Sequence, residues 1–139
     1  ITRTKEQIDA IENGGYLIKE EDDATLSLIA SGSELQLVLD ASDVLLNEYG
    51  IKTNVISMPC LDVFLEQGDD YQSKVIKPDL PALVIELSHP NSWYKILNKG
   101  DKVLGIESFG ESAPANILLE YFGFTTENVV ELSKSLVND

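Results

Sequence analysis

The chain has 139 residues, of which 24 are acidic and 10 basic, for a formal net charge of -14, and 43% of it is hydrophobic. One domain is the default at this length, and the composition excludes disorder or a fibrous repeat as the main state. The acidity, concentrated in residues 1–70 with 15 acidic against 4 basic side chains, would repel a phosphate backbone or an anionic membrane surface, so neither nucleic acid nor a membrane is an expected partner. The single cysteine, Cys60, allows neither an internal disulfide nor a Cys-based zinc site and fits a reducing cytoplasm. No apolar run approaches the ~20 residues that span a bilayer, and the amino end has no basic segment leading into an apolar stretch. A first residue other than methionine leads us to expect a piece of something longer.

The first strand candidate, residues 14–19 (GGYLIK), is weak; it precedes the first crossover and so falls at a sheet edge, in a direction the pattern leaves open. Residues 24–30 (ATLSLIA) form a β-prone run closed by Ser31-Gly32-Ser33. A helix from Glu34 to Tyr49 follows, with Leu35, Val38, Ser42, Leu45 and Tyr49 on one stripe, Leu39 and Leu46 widening it, and Gly50 where a left-handed cap belongs. Residues 51–57 form the next strand, ended by Pro59. Leu61 to Ile76 reads as one or two short helices broken at Gly68, the second capped by Asp69 or Asp70. Residues 82–87 (ALVIEL) make an apolar strand, Ser92–Asn98 a short helix and Lys102–Ile106 another strand. Pro114 starts a helix through Tyr121, and Thr125 or Thr126 caps a last helix with Val129, Leu132 and Leu136 on one side. Strands alternating with helices at this spacing predict a three-layer α/β/α domain around a mostly parallel sheet.

Ligands of parallel sheets lie beyond the strand carboxyl ends, where Ser31-Gly32-Ser33 opens a helix. Gly32 and Ser33 are therefore candidates for an anion site, but a turn glycine and a capping serine explain the same residues without a ligand, and Glu34 adds negative charge beside them. Neither a GxGxxG fingerprint nor a GxxxxGK[ST] loop supports a nucleotide. The lone histidine, His89, belongs to no Ser/His/Asp set or metal spacing. Cys60 has no nearby base and reads as a buried or half-buried structural residue, and Glu20-Glu21-Asp22-Asp23 as a solvated turn rather than a cation site. The residues alone point to an acidic α/β domain of a larger machine, in which no general acid/base pair stands out.

Three stretches say more: Ala30-Ser31-Gly32-Ser33-Glu34-Leu35, Val55-Ile56-Ser57-Met58-Pro59, and Phe109-Gly110-Glu111-Ser112-Ala113-Pro114-Ala115 with Phe122-Gly123-Phe124-Thr125 after it. In order and spacing they resemble the C-terminal domain of transketolases. The first two recur in related thiamine-diphosphate enzymes; the third, supported by Trp93-Tyr94-Lys95, is the discriminating one. The pattern departs from the family at Leu87-Ser88-His89-Pro90, where a glycine-containing segment is commoner, and at Asn116, where an acidic residue is.

The resemblance implies a five-stranded mixed sheet with its first strand antiparallel, residues 14–139 as the domain and 1–13 as the end of the preceding domain and a linker. For the parent it implies transfer of a two-carbon ketol unit between phosphorylated sugars in the pentose phosphate pathway, in the cytoplasm, by a homodimer holding thiamine diphosphate and a divalent cation (Mg or Ca) on its upstream domains. The fragment alone should be inactive, structural and interface-forming. Ile1-Thr2-Arg3 resembles the end of the middle domain, whose closing arginine binds the substrate's terminal phosphate; Arg3 matches it, and a guanidinium offers that group paired donors. Two alternatives remain, a regulatory anion- or nucleotide-binding module at the SGS turn, and a protein-docking module of another thiamine-diphosphate enzyme.

Overall fold

A computed structural model describes residues 2–31, 34–86, 101–105 and 125–137. The expected helices at 92–98 and 114–121, the anion candidates Gly32 and Ser33, His89, and the Phe109–Ala115 motif lie outside them.

Among the described residues five strands form one sheet in the order β1-β3-β2-β4-β5, where β1 is Tyr16–Lys19, β2 Leu26–Ala30, β3 Thr53–Ser57, β4 Ala82–Glu86 and β5 Lys102–Gly105. All neighbours are parallel except β1, which pairs antiparallel with β3 and has a register break between Leu17 and Lys19. The expected five-stranded mixed sheet and its antiparallel first strand are both present. The central strands LSLIA and ALVIE are nearly continuous apolar runs because both faces are covered.

Alternation along these strands divides the core. Leu26, Leu28, Val55, Leu83 and Ile85 face helices α2 (Glu34–Tyr49) and α5 (Thr126–Val137). Ile29, Ile56, Ala82 and Val84 face the other way, toward Phe64 of α3 (Leu61–Leu65) and Val75 of α4 (Asp69–Val75). The α2 stripe is buried at Leu35, Val38, Ser42 and Leu45, but Tyr49 is exposed and lies under the Lys134 ammonium, 4.1 Å from its ring centre. Gly50 adopts φ +66° and bonds the Leu46 carbonyl. The Ile51 N–H still bonds Leu45, so β3 starts two residues later than its sequence suggests. Thr125 is the cap of α5, its hydroxyl accepting from the Asn128 N–H at 3.1 Å.

Two expectations need correction. Asp69 and Asp70 do not cap α4: Gly68 holds the N-cap position with no side-chain bond, and the two aspartates begin the helix itself, where their charge suits the amino-terminal dipole. Cys60 is exposed, because it sits in the turn between β3 and α3 rather than on an inward-facing helix position. Residues before Gly14 include helix α1 (Lys5–Ala10), followed by a 3-10 turn at Ile11–Asn13. No residue of α1 is buried, so it leaves no apolar stripe in the sequence.

Candidate functional site

The parallel strands β2, β3 and β4 end on one side of the sheet, and antiparallel β1 begins there, with Tyr16 opposite Ser57. The segment entering β1 is fastened to the loop leaving β3. The Cys60 N–H bonds the Gly14 carbonyl at 2.9 Å, and the Tyr71 hydroxyl donates to the Gly15 carbonyl at 2.7 Å. Gly14 has φ +85°, and a Cβ there would come within 2.4 Å of backbone atoms of Cys60 and Phe64. Only glycine satisfies both the left-handed conformation and this approach.

Between these strand ends lies a cleft of about 240 Å³, bounded by Ser31, Pro59, Cys60, Asp62 and Glu86. The Ser31 hydroxyl donates to the Glu86 carboxylate, joining the ends of β2 and β4. No cation is among the described residues that line the cleft. The Asp62 and Glu86 carboxylates at its rim disfavour an anion, which weighs against the regulatory anion reading from this side of the SGS turn. Among the described residues no group of three or more His, Cys, Asp or Glu side chains could hold a metal ion. Among the described residues no helix is long and apolar enough to cross a membrane.

Arg3 occupies the same end of the sheet. It is half-buried, and its Nε–H donates to the Tyr16 hydroxyl at 2.7 Å. Tyr16 is itself only 3% exposed. The backbone behind Arg3 is held by a capping box: the Thr4 hydroxyl accepts from the Gln7 N–H and the Gln7 amide oxygen accepts from the Thr4 N–H. The Gln7 amide nitrogen then reaches the Leu17 and Ile18 carbonyls on β1. Among the described residues Arg3 makes no ion pair. Sequence reading singled out Arg3 but missed Tyr16 and Gln7. The Thr-x-x-Gln spacing at residues 4–7 was a usable signal for the cap, whereas nothing local predicts a bond between residues thirteen apart.

Residues 14–125 match the family described as the transketolase-like C-terminal domain. A curated relative, Transketolase 2 of Vibrio parahaemolyticus, is 43% identical over 137 residues, which is 97% of this chain and 20% of the relative. Among solved structures, a transketolase from Leishmania mexicana superposes with a TM-score of 0.85 at 34% identity, covering 94% of this chain and 19% of its own. One from Campylobacter jejuni gives a TM-score of 0.80 at 39% identity, covering 90% and 19%. The chain thus spans about a fifth of the length of these relatives.

Proposed function

This chain belongs to the transketolase C-terminal domain family, and from that premise we propose that it serves a cytoplasmic transketolase by packing against the upstream domains and a second subunit and by lending Arg3 to the phosphate of a sugar substrate. The parent would move a two-carbon ketol unit between phosphorylated sugars, a chemistry supplied by thiamine diphosphate with a divalent cation. The described residues that line the cleft do not fit that group: at the strand ends they bring the Asp62 and Glu86 carboxylates, the reverse of what a diphosphate requires. No step is therefore assigned to this chain beyond binding and orientation, and the cofactor is assigned to the upstream domains.

The observation that supports the Arg3 assignment is a guanidinium held by Tyr16 at the carboxyl end of the sheet and in no ion pair among the described residues. A phosphate presents oxygens in a spacing that paired N–H donors match, and arginine stays charged at every relevant pH. In the full-length enzyme, Arg3→Ala should raise KM for phosphorylated sugars about ten- to a hundredfold, the loss of a charged hydrogen bond of roughly 1.5–3 kcal/mol. KM for unphosphorylated analogues should stay near its starting value. Equal losses with both substrate types would overturn the assignment.

A further inference from the structure

Arginine on a surface is a long side chain with many rotamers, and a phosphate site built on it needs something to aim it. Arg3 has such a partner. Tyr16 begins β1 opposite Ser57, its ring is buried and its hydroxyl takes the Arg3 Nε–H. A buried phenol requires a hydrogen-bond partner, and the Arg3 Nε–H supplies one.

Resting on the Arg3 assignment above, we propose that Tyr16 is a positioning residue for sugar-phosphate recognition: its hydroxyl holds the Nε side of the guanidinium and leaves the two outer nitrogens to grip the phosphate. The chemistry of the holder matters. A guanidinium has five N–H donors in a rigid fork, and engaging Nε leaves the outer pair as a bidentate edge. A carboxylate partner would fix the same geometry while neutralising the charge that the phosphate needs. A neutral hydroxyl fixes the direction and leaves the charge. This distinction has force here, because residues 1–70 carry 15 acidic side chains, among them Glu6 and Asp9 close by in sequence, yet none pairs with Arg3 among the described residues. The main chain adds to the aim. Arg3 directly precedes the capped Thr4, and Gln7 ties that cap to the Leu17 and Ile18 carbonyls, so α1 and β1 hold residues 3 and 16 in register.

The test is Tyr16→Phe in the full-length enzyme, alone and combined with Arg3→Ala. Phenylalanine keeps the buried ring and removes only the hydroxyl. The expected result is a three- to tenfold rise in KM for phosphorylated sugars with no rise for unphosphorylated analogues, and no further loss when the change is added to Arg3→Ala. Inhibition by inorganic phosphate, read separately, should weaken by a similar factor. If Arg3→Ala is phosphate-selective but Tyr16→Phe is silent, or weakens both substrate types equally, the positioning role is overturned while the Arg3 assignment stands. If Arg3→Ala itself shows no selectivity, the Arg3 assignment fails and the role of Tyr16 fails with it.

Discussion

Among the described residues, the two faces of the sheet are covered by helices of different kinds. On one face, α2 has 16 residues and α5 has 12, and their apolar stripes enter a common cluster with Leu28, Leu83 and Ile85. On the other, α3 has five residues and α4 seven, neither with a side-chain N-cap. Helices this short do not persist on propensity, since nucleation costs more than a single turn returns. Here side chains substitute for length: Gln67 donates to the Val63 carbonyl, Gln72 to those of Leu65 and Gln67, and Tyr71 spans to Gly15 while its ring meets Phe64 edge-on at 6.1 Å. The lesson is that, among the described residues, the face bordering the cleft adds directional side-chain bonds to its apolar cluster, whereas the opposite face leans more on the area of two long helices.

The largest effect that would expose this difference is at the two glycines with positive φ. Gly14→Ala drives a Cβ into the backbone of the Cys60–Phe64 turn and should destabilise the chain by about 3–5 kcal/mol, combining overpacking with left-handed strain. Gly50 has a similar φ but nothing within 4 Å, so Gly50→Ala should cost only about 1–2 kcal/mol. Urea denaturation of both variants checks the pair; equal losses would mean that the approach of Gly14 to α3 is not limiting.

A smaller effect sharpens the contrast between bonds and area. Gln72→Ala strips a donor from two carbonyls and should cost about 1–3 kcal/mol. Hydrogen exchange should accelerate in α3 and α4 before it changes in α2. Uniform acceleration across all helices would show that the short-helix face does not open on its own. On the long-helix face, Thr125→Ala removes the cap of α5 and should cost about 0.5–2 kcal/mol in a thermal melt.

The smallest effect concerns pH. At Lys134 desolvation is the largest single influence and lowers the pKa, but the hydrogen bond and charge of Glu131, joined by those of Tyr49, together outweigh it and hold the ammonium above its ordinary value. A raised folded-state pKa stabilises fully below the ordinary lysine value and is lost as pH rises through the raised one. The melting temperatures of the wild type and Lys134→Met should therefore converge as the solution is taken to strongly alkaline pH. A gap that persists there would assign the effect to packing over Tyr49 instead.

Much of this contrast was legible in the sequence where area holds the structure. The α2 stripe, its Gly50 cap and the apolar runs of β2 and β4 are periodic patterns, and periodicity records burial. The bonded face is harder to read. The break at Gly68 is visible, but Gly68 itself rather than Asp69 or Asp70 takes the cap position, because the aspartates are already inside the helix. Tyr49 has the right spacing for the core yet lies exposed at the last residue of α2, under Lys134. Of the candidate site, Arg3 came from resemblance alone. Its partner Tyr16 follows only from the path of the chain through α1 and back into β1, which no spacing rule encodes.

The Gln7 side chain has one more consequence, for how these molecules meet one another in concentrated solution. An outer strand with open carbonyls invites a second molecule to add a strand of its own, the first step toward fibrils. β1 is four residues long, breaks register between Leu17 and Lys19, and has its Leu17 and Ile18 carbonyls already occupied by the Gln7 amide. The residue that braces the amino-terminal turn thereby also closes this margin of the sheet to recruitment, and a change such as Gln7→Ala would reopen it.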